Sequence, residues 1–349
     1  MTLGPLMVDI DGLSLTPEDR ELLQHPLVGG VILFSRNVAD REQVRALTSE
    51  IRALRHPAIL IAVDQEGGRV QRLRDGFSAL PPLRWLGRLY DEDPKHARAM
   101  TTMVARIMAQ EVLDVGVDFS FAPVLDIDRG YCEVIGDRAI HPQPDVVGAL
   151  GMAYMQGMRQ IGMAAVAKHF PGHGGVAGDS HHVLPEDHRS YSDLLDDMQP
   201  YRSLIGDGLP GLMMAHIRYT EVDPEIASLS SYWMQQVLRG ELAFQGAIFS
   251  DDLTMEGASA GGSVADRAIT ALHGGADMAL ICNNRSAVGP VLDALQGYSQ
   301  PASFGRLAAM RADFRKYADA PRDSGDWQQA VAGLQAALER PSLILKGQG

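Results

Sequence analysis

Met163-Ala164-Ala165-Val166-Ala167-Lys168-His169-Phe170-Pro171-Gly172-His173-Gly174-Gly175-Val176-Ala177-Gly178-Asp179-Ser180-His181-His182 joins two stretches of opposite physical character. Met163–Ala167 is short and continuously apolar, as a strand covered on both faces is. From Lys168 onward come four histidines, a lysine and an aspartate, separated by glycines and a proline. A glycine-rich loop cannot hold a core, so its ionisable groups are there for chemistry. The pattern predicts a buried strand delivering fixed polar groups at its end, then a loop carrying more of them.

Similar apolar runs recur at Pro5–Ile10, Gly30–Phe34, Ala58–Val63, Asp118–Asp126, Gly211–His216, Ala247–Ser250 and Ala276–Cys282. With Met163–Ala167 they make eight candidate strands. The spacers read as helices. Leu15–Gln24 opens on Thr16-Pro17-Glu18, a cap and first turn, and Asp40–Leu54 repeats Val44, Leu47, Ile51 and Leu54 at helical spacing. Pro94–Val115, Asp145–Ile161, Ser192–Ile205, Ser231–Leu242, Ser263–His273 and Arg285–Leu295 follow suit. The alternation predicts an α/β fold: a single-domain (β/α)8 TIM barrel over residues 1–340. Two further helices are expected on its outside between Ser303 and Leu338, with a loose tail over 341–349. Periodicity alone does not separate the barrel from a doubly wound open sheet.

Barrel chemistry sits at the C-terminal strand ends. The third strand runs into Asp64-Gln65-Glu66-Gly67-Gly68-Arg69-Val70-Gln71-Arg72, and the fourth into Asp126-Ile127-Asp128 and a loop with Gly136-Asp137-Arg138. The fifth ends in Lys168-His169, the sixth in Ala215-His216 and the seventh in Ser250-Asp251-Asp252. Charged groups from five strands thus converge on one face. Blander readings exist for several of them. Asp128 and Asp252 suit helix caps, Asp9 and Asp11 turns, Lys168 an ion pair, and His216 a satisfied core histidine. His25, His56, His96 and His141 are expected on the surface.

The chain of 349 residues is 46% hydrophobic, ample for a sizeable core, and carries a net charge of -13. That balance, with no basic stripe, argues against nucleic acid or anionic membranes as partners. Two cysteines, Cys132 and Cys282, exclude a disulfide framework and suit a reducing compartment. No apolar run reaches membrane-spanning length, and the first residues do not read as a signal peptide. A cytoplasmic monomer is expected. The spacing His-x3-His-x7-His-His matches no metal pattern, and Lys168 beside it disfavours a dication. No phosphate loop or dinucleotide fingerprint occurs, so no metal or cofactor is expected.

Taken together, these stretches resemble glycoside hydrolase family 3, and within it the bacterial cytoplasmic β-N-acetylglucosaminidases of peptidoglycan recycling. The resemblance rests on Asp64–Arg72, Ile135-Gly136-Asp137-Arg138, Lys168–Gly174, Asp179-Ser180-His181 and Phe249–Met255, and spans about Leu3 to Leu295. It implies a single barrel domain and retaining hydrolysis of terminal β-linked N-acetylglucosamine from peptidoglycan fragments such as GlcNAc-anhydroMurNAc. By the same resemblance Asp251, directly after Ser250, is the nucleophile; physics alone does not exclude its neighbour Asp252. His181 is the general acid/base, unusual where most retaining glycosidases use a second carboxylate, and Asp179 orients it. Substrate contacts fall to Asp64, Arg72, Arg138, Lys168 and His169, with Arg138 clamping from above and His216 as an additional wall. The glycines from Gly172 to Gly178 predict a loop that moves, bringing His181 over bound sugar. His182 has no assigned role, and His173 is read as shaping the loop. Phosphorolysis or β-glucoside hydrolysis on the same barrel, a catalytically silent sugar-binding barrel, and a metal-dependent hydrolase are the alternatives.

Overall fold

The computed structural model describes residues 3–180 and 182–339. Eight parallel strands carry it: β1 (Leu6–Val8), β2 (Val28–Leu33), β3 (Leu60–Val63), β4 (Phe119–Ser120), β5 (Val166–Phe170), β6 (Gly211–Met214), β7 (Ala247–Asp252) and β8 (Met278–Ile281). Each apolar run expected to be a strand is one. Neighbours in sequence are neighbours in space from β1 to β4 and from β5 to β8, and β1 pairs with β8 in the register Leu6↔Ala279, Met7↔Leu280. The gap between β4 and β5 is bridged just beyond β4. Val166 N–H donates to the Ala122 carbonyl (2.9 Å), and Leu125 N–H to that of Lys168 (2.8 Å). This wrap-around is a TIM barrel and rules out an open doubly wound sheet.

The helices follow their capping signals. Thr16 and Asp19 form a reciprocal capping box on Pro17–Gln24, and Asp40 caps Arg41–Ala53 through Gln43 N–H. Gly162, in the left-handed region at φ 91°, ends Pro144–Ile161. The spacer after β6 is a wider π-helical segment, Tyr232–Glu241. One helix was not anticipated: Leu83–Glu92, which buries Leu83, Leu86 and Leu89 and starts after Pro82 with no side-chain cap. The outer C-terminal layer has three helices rather than two, Pro301–Ala309, Phe314–Asp319 and Gly325–Leu338. The expected loose tail, 341–349, lies outside the described residues.

Inside the barrel, the rings of Phe119, Phe121 and Phe249 pack mutually at 5.3–5.8 Å between centroids, two of the three contacts edge-to-face. This layer lies directly under the polar upper end, where Phe121 lines the cavity and Lys168 Nζ sits 6.0 Å from its ring.

Two strands depart from regular pairing where the polar residues begin. The β5–β6 register shifts between Ala167 and Phe170, and the β7–β8 register between Phe249 and Asp252. Strict alternation would turn one of two successive residues away from the barrel mouth. The shifts bring both Lys168 and His169, and both Asp251 and Asp252, to the same cavity.

Candidate active site

The cavity at the C-terminal end of the barrel has a volume of about 350 Å3. Its floor is an ion network drawn from three strands. Lys168 Nζ lies 2.7 Å from both Asp64 Oδ1 and Glu66 Oε1. Arg138 grips Glu66 with two parallel bonds of 2.9 Å. Arg72 stands 3.9 Å from Asp64, its guanidinium 5.9 Å from the Phe34 ring centroid. Three cations therefore face two carboxylates, and donors and acceptors alternate across the floor. Burial alone would push the Glu66 carboxyl up; Arg138 and Lys168 more than reverse this and hold it well below the usual range. Burial opposes the charge on Lys168, but Asp64 and Glu66 keep its ammonium above its ordinary value. Arg138 is held up by Glu66 in the same way. Arg138 is thus part of the floor and not a clamp from above, because Glu66 draws it down.

His169 is oriented from behind. Asp126, fully buried, accepts from its Nδ1 (2.7 Å) and from the backbone N–H of His169 and of His173. A carboxylate can only accept, so Nδ1 carries the proton and Nε2 is the atom left for a ligand. Burial raises the Asp126 carboxyl, but His169 pulls it below its ordinary value overall.

On the opposite wall Asp251 Oδ1 accepts from Asp252 N–H at 2.8 Å. The two aspartates differ in employment. Asp252 Oδ1 takes Thr254 N–H, Thr254 Oγ1 and Cys282 N–H, which ties β7 to the end of β8. Burial pushes the Asp252 carboxyl up to about 6. Asp252 is therefore a turn clamp rather than the helix cap expected of it, and Asp251 is the aspartate not committed to that clamp.

His216 does not line the cavity. It is wholly buried, with Nε2 donating to the Asp252 carbonyl (2.8 Å) and Nδ1 accepting from Ser228 Oγ (2.6 Å). A carbonyl accepts only, so Nε2 carries a proton, and burial lowers the basicity of the ring. The satisfied-core reading of His216 holds, and its role as a wall is withdrawn. Two other expectations change as well. Asp9 is no turn residue but is buried between Arg36 and Asn283 N–H, and His141 is buried against Asp91 rather than exposed.

In the loop, Asp179 sits partly exposed with His182 Nε2 3.9 Å from its carboxylate, while His181 lies outside the described residues. Several of the loop glycines are closely packed. A Cβ on Gly172 would meet Asp197 at 2.8 Å, on Gly174 the Ile127 carbonyl oxygen at 1.8 Å, and on Gly175 Arg189 at 1.9 Å. Gly174 is thus packed against the Ile127 backbone and Gly172 against Asp197, whereas the neighbour of Gly175 is the movable end of Arg189. Glu66 and Asp126 were not foreseen as site residues. Each was visible only as a carboxylate after a strand, with its partner far away in sequence. Among the described residues no group of three or more histidine, cysteine or acidic side chains is placed to hold a metal.

The profile of the glycosyl hydrolase family 3 N-terminal domain matches residues 6–313. This chain belongs to glycosyl hydrolase family 3. A beta-hexosaminidase of Alkalilimnicola ehrlichii is 52% identical to it over 347 residues, 98% of each chain. One from Thioalkalivibrio sulfidiphilus is 48% identical over 345 residues, 99% of each. NagZ from Neisseria gonorrhoeae in complex with N-trifluoroacetyl-D-glucosamine superposes with a TM-score of 0.90 at 41% identity, covering 95% of this chain and 97% of that one. The family 3 chain is accordingly a glycoside hydrolase of the β-hexosaminidase kind. None of its described helices is long and apolar enough to cross a membrane.

Proposed function

We propose that this hydrolase is a retaining exo-β-N-acetylglucosaminidase that removes terminal β-linked N-acetylglucosamine from peptidoglycan fragments, GlcNAc-anhydroMurNAc and its peptides among them. The observation that carries the reading is the juxtaposition of Asp251 with a floor of alternating donors and acceptors. A sugar lying on that floor has hydroxyls for Asp64 to accept from. Lys168, Arg72 and Arg138 are cationic donors beside it, and His169 is oriented toward it by Asp126. About 350 Å3 is at the small end for ligand pockets and suits one amino sugar better than a chain. The Neisseria relative's complex with an N-acylated glucosamine supports the same substrate class.

In this mechanism the Asp251 carboxylate attacks the anomeric carbon as the bond to the leaving oxygen breaks. His181 protonates that oxygen, with Asp179 supporting the imidazolium. Water then attacks the glycosyl-aspartate, His181 takes its proton, and Asp251 leaves. A histidine adds no negative charge beside an anionic muramic leaving group. The protein acts as a monomeric single-domain enzyme in the cytoplasm, without metal or cofactor; two buried free cysteines and the acidic charge are in keeping with that. Kinetics on a chromogenic β-N-acetylglucosaminide test the roles. Asp251→Ala is expected to abolish turnover, and His181→Ala to slow poor leaving groups far more than good ones. Full activity in Asp251→Ala would remove the covalent mechanism, and sugar 1-phosphate as main product in phosphate buffer would replace hydrolysis by phosphorolysis.

A further inference from the structure

Ser180 stands between Asp179 and His181 in the chain, yet its own side chain takes no part in the mechanism above. It is almost fully buried and held from two sides. Its hydroxyl lies 3.0 Å from His173 Nε2, and its carbonyl accepts Gly257 N–H at 2.8 Å. His173 is anchored in turn: its backbone N–H donates to Asp126 Oδ1 at 2.6 Å, and its Nδ1 lies 3.6 Å from Cys132 Sγ. The next residue, Gly174, is wedged on Ile127. Burial pushes the His173 ring down to about 4, so it is neutral at working pH, and pushes the Cys132 thiol up to about 11.

The loop therefore has a fixed end at His173 and a return point at Ser180, closed by one side-chain bond. Neighbouring Cα atoms are about 3.8 Å apart, so where Ser180 is held Asp179 is held within a residue's reach. We propose that His173 and Ser180 form a latch, seated on Gly257, that docks Asp179 and Ser180 on the barrel. Both are then positioning residues for proton transfer, a role that rests on the reading of His181 as general acid. Gly257 belongs to the same device. A Cβ there would stand 2.8 Å from the Ser180 carbonyl oxygen and 3.0 Å from His216 Cβ, so only glycine lets the segment seat.

His173 and Ser180 line the same cavity, with the His173 ring edge-on to His169 at 5.8 Å, but neither enters the Lys168–Asp64–Glu66–Arg138 network, so leaving-group dependence separates the latch from that floor. Ser180→Ala and His173→Phe, assayed on β-N-acetylglucosaminides, are expected to lower kcat about threefold to tenfold for a phenyl leaving group, the loss of one hydrogen bond. A 2,4-dinitrophenyl leaving group needs little protonation and is expected to suffer less, and in Ser180→Ala KM is expected to change less than kcat. Because both changes remove the same bond, the double variant should match the singles. His173→Gln, whose amide can reach the hydroxyl, is expected to recover part of the loss, and Gly257→Ala to reproduce it from the other side. Unchanged phenyl kcat in Ser180→Ala, additive losses in the double variant, or equal losses for both leaving groups would each overturn the latch. His181→Ala run alongside separates the two ideas. If it is slow on phenyl while Ser180→Ala is not, the latch alone falls. If it is fully active, the acid role falls and the latch with it.

Discussion

Replacing Glu66 by glutamine preserves the shape of the side chain and removes one charge from the floor of the site. The carboxylate is 2% exposed and accepts two bonds from Arg138 and one from Lys168. A glutamine oxygen can keep part of this, but its NH2 group then points a donor at a donor. Lys168 retains Asp64; Arg138 retains only the Val134 carbonyl at 3.1 Å. Removing one partner from a buried ion pair costs about 3–5 kcal/mol. The unfolding entropy of a chain of 349 residues is about 0.7 kcal/mol per degree, so the melting temperature should fall about 4–7 °C. The variant should also lose sugar affinity, seen as a KM raised about tenfold or more, because the two cations are no longer held in place.

The pH dependence supplies an independent check. Glu66 in the folded protein is held below its ordinary 4.5. A depressed carboxylate contributes stability that is present above 4.5 and lost as the pH falls toward its folded value. The gap between wild type and Glu66→Gln should therefore be full at pH 7 and shrink below about pH 4.5. Urea midpoints at pH 7 and pH 4 measure it. A variant that melts within a degree of wild type at pH 7 and binds sugar equally well would refute the network as the organiser of this floor.

Asp252 titrates in the opposite sense. Its folded value is raised from 3.8 to about 6, so the folded state loses stability as the pH climbs through that window, by roughly 3 kcal/mol at most. Asp252→Asn keeps the Oδ1 acceptor, and should be more stable than wild type at pH 7 but not at pH 4; urea midpoints equal at both pH values would count against it. His216→Phe fills the ring volume but removes the donor to the Asp252 carbonyl, and kcat should fall about tenfold while KM holds, since His216 is off the cavity wall. Two glycines should respond in opposite directions. Gly174→Ala drives a Cβ to 1.8 Å from the Ile127 carbonyl oxygen and should strip activity or solubility, whereas Gly305→Ala, in a helix with open space around it, should gain about 0.5–1 kcal/mol by calorimetry.

The strands were legible because parallel strands buried on both faces leave unbroken apolar runs, and each such run is a barrel strand. Their ends were not. Lys168, His169 and Asp252 remain in the ladder although they break the apolar pattern, because their polar atoms find partners that come from other strands. His141 and Asp9 were misread for the same reason. Asp91 lies 50 residues from His141, and Asn283 lies 274 residues from Asp9. A residue's type is visible in a sequence; the partner that makes its burial tolerable is not.

The site shows a consistent division within its adjacent pairs. Of Asp251 and Asp252, one presents a carboxylate to the cavity while the other clamps the turn and gives its N–H to the first. Lys168 and His169 each face the cavity but are secured by different partners, Lys168 by the carboxylates of the floor and His169 by Asp126 from behind. Such pairs cannot be built on a regular strand, where neighbours point to opposite faces. The register shifts in β5 and β7 are thus what the chemistry requires of the backbone. They also explain why loss of a hidden member, such as Asp126 or His216, should affect turnover through its visible neighbour. The hidden residue contributes no contact to sugar, only the geometry in which the exposed one can make it.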